Sequence, residues 1–458
     1  MTTTNTDPAV ADLLAFLKFP SVSTDPARAG DVRDCAGWVA NKLRAIGLLA
    51  EVHDTAGHPV VLGRSTPHRA DLPTVLIYGH YDVQPADPLD LWHTPPFEPR
   101  IENGVVFARG ATDNKGQILA HIRGVEAALL GTSANGFPEL PVNVIFLIEG
   151  EEEIGSPNLE PFLREHREEL QCDVIAISDT TMVGTAIPTF TYCLRGLTAL
   201  EVHVTGPAMD LHSGIFGGAV ANPATALARL LASLHDADGH VAVAGFYDAV
   251  QPLADWEREA WKALPLNDEH ALLALTGASA TFGEAGFTSI ERFSARPTAE
   301  INGFASGYQG EGSKTIIPAK ASAKLTFRLV PDQDPAKIQA LVTEHLFTHC
   351  PPGVKLDVVP GHSGRPYACD PHSAFGQAAQ RALRHTFPGK EPALIREGGS
   401  IPIVTTFREV LGVETLLLGL ALPDCRAHSP NENFPLANYF AGIRLNQVLL
   451  REIGATKR

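Results

Sequence analysis

The sequence predicts an α/β chain interrupted by an inserted α+β layer, and three patterns carry that reading. Short apolar runs alternate with helical stretches in the first part of the chain, the middle switches to period-two strands, and one more apolar run returns near the C-terminus. Residues 31–46 set Val32, Cys35, Val39, Leu43 and Ile46 on one helical face and stop at Gly47, suited to the left-handed turn after a helix. The runs at 75–78, 144–148 and 174–177 read as buried strands. Polar residues, often with glycine, follow each run at once, where open α/β sheets place their ligands.

In the middle, Leu200, Val202 and Val204 alternate with Glu201 and His203, and Ala323, Leu325, Phe327 and Leu329 alternate with Lys324, Thr326 and Arg328. Such strands have one solvated face, which leaves His203 a surface residue. Asn222 and Pro223 open a helix through Ala226, Leu227, Leu230, Leu231 and Leu234, and a second helix follows Asp334-Pro335. If the run at 415–418 rejoins the first sheet, residues 194–360 form an insertion between 1–193 and 361–458. The stretch 236–307 resists assignment, because its helical pattern around 256–264 sits among many Gly and Pro residues.

Composition narrows the function. A chain of 458 residues exceeds what one hydrophobic core organises, in keeping with two domains. With 36 Lys+Arg against 52 Asp+Glu, a net charge of −16 repels nucleic acid and anionic membrane surfaces and leaves carboxylates for cations. No basic n-region precedes a long apolar stretch and no run approaches the ~20 apolar residues of a membrane span, so a cytoplasmic protein is expected. Cys35, Cys172, Cys193, Cys350, Cys369 and Cys425 form no CxxC pair, which fits reduced thiols better than disulfides or a zinc ribbon.

The chemistry sits in five places. Gly79-His80-Tyr81-Asp82 follows a buried strand, and an Asp two residues on can hold the imidazole for a metal; a hydrogen-bonded loop histidine is the alternative. Asp113, in Arg109–Gly116, opens a helix through Ile118, Leu119, Ile122, Val125 and Leu129, and by itself this motif reads as a helix-capping carboxylate. Glu149, Glu151, Glu152 and Glu153 crowd one strand end, a conflict that a cation removes while a neighbouring carboxylate takes a proton from water. Asp179 ends another strand, and His428 lies in Arg426–Glu432. Together His80, Asp113, Glu153, Asp179 and His428 make a thiol-free set suited to two divalent ions ~3.5–4 Å apart.

The order of these motifs resembles the M20 metallopeptidase family, in its dipeptidase and carnosinase branch. The likeness runs over nearly the whole chain, through Gly79–Pro85, Trp92 with Pro96-Phe97, Arg109–Gly116, Glu149–Ser156, Asp210–Gly214 with Phe216–Gly218, Lys314–Pro318, Phe327–Pro331, Arg396–Pro402 and Ala427–Ser429. It implies a zinc-peptidase-like α/β catalytic domain with an inserted α+β dimerisation (lid) domain. Asp113 would bridge two metals before a cis peptide to Asn114, with His80 and Asp179 on one and Glu153 and His428 on the other. Glu152 would be the general base and Asp82 would orient His80; His212, supplied by the partner of a homodimer, would stabilise the oxyanion. Arg328 would clamp the substrate carboxylate, with Thr315, His362 and Ser400 hydrogen bonding around it.

The resemblance implies zinc, with manganese or cobalt as alternatives, and hydrolysis of a small peptide. The rival is a deacylase of the acetylornithine or succinyl-diaminopimelate type; a silent binding protein would not need Glu152 beside the ligands. Arg328 alone could be a solvated arginine, residues 212–214 a turn, and Ser400 a helix N-cap, while Gly-Gly-Ser-Ile-Pro is not a nucleophile elbow. Glu151 stands where many relatives have an uncharged residue, which leaves the division of roles among Glu151, Glu152 and Glu153 open.

Overall fold

Strands Thr74–His80 and Asn143–Glu149 are buried along their whole length and pair in parallel, as their unbroken apolar sequences require. Val174–Ile177 pairs in parallel on the other side of Thr74–His80, and Thr415–Leu417 adds parallel to Val174–Ile177, so the late run does rejoin the first sheet. Val60–Arg64 and Leu49–His53 extend the opposite edge antiparallel. The strand order is therefore Leu49–His53, Val60–Arg64, Asn143–Glu149, Thr74–His80, Val174–Ile177, Thr415–Leu417, Thr189–Leu194.

This computed structural model describes residues 7–131, 139–399 and 401–456. They divide into two units: Met1–Tyr192, Cys369–Ile395 and Thr406–Arg458 form the first, Cys193–Ala368 and Arg396–Thr405 the second. In the first, helix Ala29–Ala45 starts two residues before the sequence pattern and ends with Gly47 at φ 92°, a left-handed conformation that glycine adopts without strain. Helix Lys115–Leu130 lies against Leu436–Gly454 so closely that a Cβ on Gly124 would come within 2.6 Å of Asn446 Cβ.

The second unit has four antiparallel strands in the order Thr298–Ser306, Lys320–Leu329, Gly196–Thr205, Lys355–Gly364. Leu200, Val202, Val204, Ala323, Leu325, Phe327 and Leu329 point into a core shared with Leu227, Leu230 and Leu231 of helix Pro223–Ala232 and with Ile338, Val342 and Leu346 of helix Pro335–Thr348. Both helices start as their sequences predict: Asn222 and Asp334 accept backbone N–H groups ahead of Pro223 and Pro335. The unassigned stretch contains short helices, Asp255–Trp261, Glu269–Thr276 and Ser289–Ala295. All six cysteines are free, and among the described residues no helix is long and apolar enough to cross a membrane.

Candidate metal centre

Register brings the first ligand candidates level. His80 pairs with Glu149, so it is the last residue of its strand rather than the first of a loop; pairing extends the strand past the apolar run. Tyr78 pairs with Ile177, and Asp179 follows two residues past the end of that adjacent strand, as His80 follows two residues past Tyr78. Asp113 and His428 arrive on loops.

Asp113 stands between two imidazoles. Its Oδ1 lies 3.2 Å from His80 Nε2 and its Oδ2 2.9 Å from His428 Nε2. Asp179 Oδ2 is 3.7 Å from the same His80 nitrogen, and Glu153 Oε2 is 3.3 Å from His428 Nε2. His80, Asp113 and Glu153 can also bring one ligand atom each within 4.8 Å of one another. Asp113 is thus not the helix cap: Asn114 holds that position, and the Asp113–Asn114 peptide is cis. His428 has φ 59°, a left-handed conformation uncommon for residues other than glycine.

The surrounding charges conflict as they stand. Burial, then the charges of Asp179, Asp113 and Glu153, hold the Glu152 carboxyl well above the usual range, with His80 pulling the other way. Burial pushes Asp179 up to about 6 against the pull of His80. Asp113 and Glu153 push His428 up to about 10. The His80 Nε2 atom is fully buried and makes no hydrogen bond among the described residues, although carboxylate oxygens stand close by. An orphaned buried nitrogen among crowded carboxylate oxygens is a donor set that fits divalent cations.

Outer contacts aim these groups. Asp82 places its carbonyl 3.2 Å and its Oδ1 3.3 Å from His80 Nδ1, leaving Nε2 to face Asp113. Its carboxylate also accepts the N–H groups of Glu152 and Glu153 at 3.3 and 3.1 Å. The acidic run divides its labour: Glu149 accepts from Tyr78 Oη and Ser156 Oγ, and Glu151 from the His58 N–H and Asn158 Nδ2. Gly57 permits the latter, since a Cβ there would lie 1.8 Å from Glu151 Oε1.

Three residues escaped the sequence reading. Gln84 Nε2 donates to Glu153 Oε2 at 2.8 Å, Asn114 Nδ2 to Asp179 Oδ1 at 2.7 Å, and buried Glu432 receives the N–H groups of the Asp113 loop. Gln84 and Asn114 lie within quoted motifs, an adjacency that could have found them, whereas Glu432 ends the 426–432 stretch but has partners too distant in sequence to show there.

The remaining candidates belong to the second unit. His212 ends the short strand Leu211–His212, is exposed, and accepts the Gly214 N–H on Nδ1 at 3.0 Å, which leaves the ring proton on Nε2. Ser213 donates its N–H to the Thr315 carbonyl at 3.0 Å, joining the His212 and Thr315 segments. Arg328 is half-buried rather than a freely solvated arginine, and lines a cavity of about 380 Å³ with Arg195, Arg292 and Glu300. His362 is exposed at the irregularity between Pro360 and Ser363. Ser400 lies outside the described residues.

Residues 76–452 match the model of peptidase family M20/M25/M40. The chain is 34% identical over 450 residues to the Cys-Gly metallodipeptidase DUG1 of Candida albicans, covering 93% of this chain and 91% of that protein. It is 35% identical over 396 residues to the Beta-Ala-His dipeptidase of Homo sapiens, covering 84% and 76%. Among solved structures, the di-peptidase Dug1p of Saccharomyces cerevisiae matches with a TM-score of 0.79 at 32% identity, over 99% of this chain and 97% of that one.

Proposed function

The chain belongs to peptidase family M20/M25/M40, and from that premise we propose that His80, Asp113, Glu153, Asp179 and His428 hold two divalent ions, zinc in the working enzyme. The reaction is metal-dependent hydrolysis of the amide bond of dipeptides. The observation that carries the ligand reading is Asp113, whose two oxygens face two different imidazoles at 3.2 and 2.9 Å, the arrangement a bridging carboxylate needs.

Bound ions supply Lewis acidity, making water a nucleophile at neutral pH and polarising the scissile carbonyl. Glu152, whose backbone N–H Asp82 holds next to that of the candidate ligand Glu153, takes the proton of the attacking water and passes it to the leaving amine. Glu151 is engaged by His58 and Asn158, which supports Glu152 as base. His212 of a partner subunit donates from Nε2 to the developing oxyanion. Met209, Ile215 and Phe216 are exposed along the sequence around His212, which supports a homodimer through the second unit. Arg328 takes the substrate carboxylate, with Thr315, His362 and Ser400 contributing hydrogen bonds. Six free cysteines support a cytoplasmic setting.

The test is metal content measured beside turnover, using chelator-stripped protein with zinc, manganese or cobalt restored, a dipeptide panel and N-acetylornithine. Two ions per chain with metal-restored dipeptide cleavage is the expected result. Cleavage of the acylated amino acid alone would move the enzyme to the deacylases, and absence of metal uptake would discard the ligand set.

A further inference from the structure

Four residues beyond His428, the fully buried carboxylate of Glu432 has both oxygens occupied. Its Oε1 accepts the backbone N–H groups of Thr112 and Asp113 at 2.8 and 2.9 Å. Its Oε2 accepts the Gly110 N–H at 2.9 Å and Arg109 Nη1 at 2.7 Å. These donors fill about the four acceptor positions that an ionised carboxylate offers. The Glu432 carbonyl receives the Ala108 N–H at 3.1 Å, and Asn433–Pro435 then pairs antiparallel with Val105–Phe107.

The other end of the ion pair reaches a third loop. Arg109 Nη2 donates to the Pro85 carbonyl at 3.1 Å, and Pro85 closes the segment that carries His80, Asp82 and Gln84. Next to Glu432, Asn431 accepts the His93 N–H and donates to the Leu91 carbonyl, both at 2.8 Å. Segments carrying His80, Asp113 and His428 therefore meet at one buried ion pair, whose carboxylate binds backbone N–H groups and Arg109 rather than a candidate ligand's side chain.

We propose that Glu432, with Arg109, is a positioning residue that presets the spacing between Asp113 and its two facing imidazoles before any metal binds. It touches neither substrate nor reacting atoms. A centre preset in this way binds ions without first ordering the loops of Asp113 and His428, so Glu432 acts through metal affinity rather than through the proton transfers of Glu152. This inference rests on the ligand roles proposed for Asp113 and His428.

The experiment is a titration of metal-free Glu432→Gln and wild-type protein with zinc against a chelating competitor, followed by kcat and KM with saturating zinc. Glutamine keeps one acceptor oxygen but turns an NH2 group toward backbone donors and removes the charge facing Arg109. The expected result is a zinc dissociation constant raised about 10- to 100-fold, the range for ligand-orienting residues, with kcat recovering most of its value once zinc saturates. Unchanged zinc affinity, or lost activity that saturating zinc does not restore, would overturn the positioning role. If Arg109, left buried without its partner, prevents folding, the double variant Arg109→Met/Glu432→Gln removes both charges and must show the same weakened binding. Wild-type protein that takes up no zinc would instead overturn the ligand assignment, a result the same titration distinguishes.

Discussion

The carboxylate of Asp82 accepts the backbone N–H of Glu153 at 3.1 Å, so the group that faces His80 Nδ1 also holds the loop bearing another candidate ligand. Asp82 therefore acts on both sides of Asp113. Asp82→Ala is expected to weaken metal binding roughly 10- to 100-fold, since it frees the His80 ring and loosens the Glu153 loop together. Competition against a chelator measures this, and affinity within about twofold of wild type would assign the His80 orientation to the Asp82 carbonyl alone.

Glu152→Gln separates chemistry from binding. The substitution preserves shape and leaves the five candidate ligands intact, so two equivalents of metal should stay bound. Turnover should fall by about 10²- to 10⁴-fold, the usual contribution of a general base. Metal analysis alongside steady-state kinetics reads both, and near-normal turnover would mean that another group takes the proton.

Glu151→Ala should do the reverse. Its carboxylate receives the His58 N–H at 2.9 Å and Asn158 Nδ2 at 2.9 Å, contacts that tie strand-end loops together rather than face the ligands. Leaving those donors without an acceptor should cost about 1–3 kcal/mol of stability while kcat stays close to wild type. A thermal melt with kinetics decides between this structural role and a catalytic one, which would collapse kcat without moving the melt.

What the sequence disclosed, and what it withheld, follows from how each residue does its work. The gathering of His80, Asp113, Glu153, Asp179 and His428 as candidate ligands was legible because ligand chemistry restricts residue type and because apolar runs announce the sheet edge where they lie together. Glu432 was not, because its partners at 109–113 stand more than 300 positions away and hydrogen bonds of that span leave no local pattern. Gln84 and Asn114 sat inside recognised motifs without a role, since an amide's partner is set by geometry alone. Helices such as Asp255–Trp261 and Ser289–Ala295 are only 7 residues long, too short for periodicity to separate them from the turns around them.

His212 gives the prediction on assembly. With Nδ1 accepting the Gly214 N–H, only Nε2 can donate to an oxyanion, and the proposal places that oxyanion in the partner subunit. His212→Ala should therefore lower kcat by about 10²- to 10³-fold, as loss of one oxyanion donor does, with metal content unchanged. Mixing His212→Ala with Glu152→Gln protein under conditions of subunit exchange should restore activity, because a mixed dimer pairs an intact base in one subunit with an intact His212 in the other. Mixed dimers verified by mass but inactive would place the donor in the same chain as the base.

Metal removal supplies the last test, and its sign follows from linkage. An ion that binds the folded chain and not the unfolded one stabilises it by RT ln(1 + [L]/Kd), roughly 2.7 kcal/mol per site at a hundredfold excess over Kd. Stripping the ions also returns the crowd around Glu152 and Asp179 to its unrelieved state, in which burial and neighbouring charge hold both carboxyls up. Chelation should therefore lower Tm and abolish dipeptide cleavage together, and adding zinc back should raise both in a concentration-dependent way. A Tm indifferent to chelator and zinc, in a protein that still cleaves dipeptides, would separate the activity from this centre.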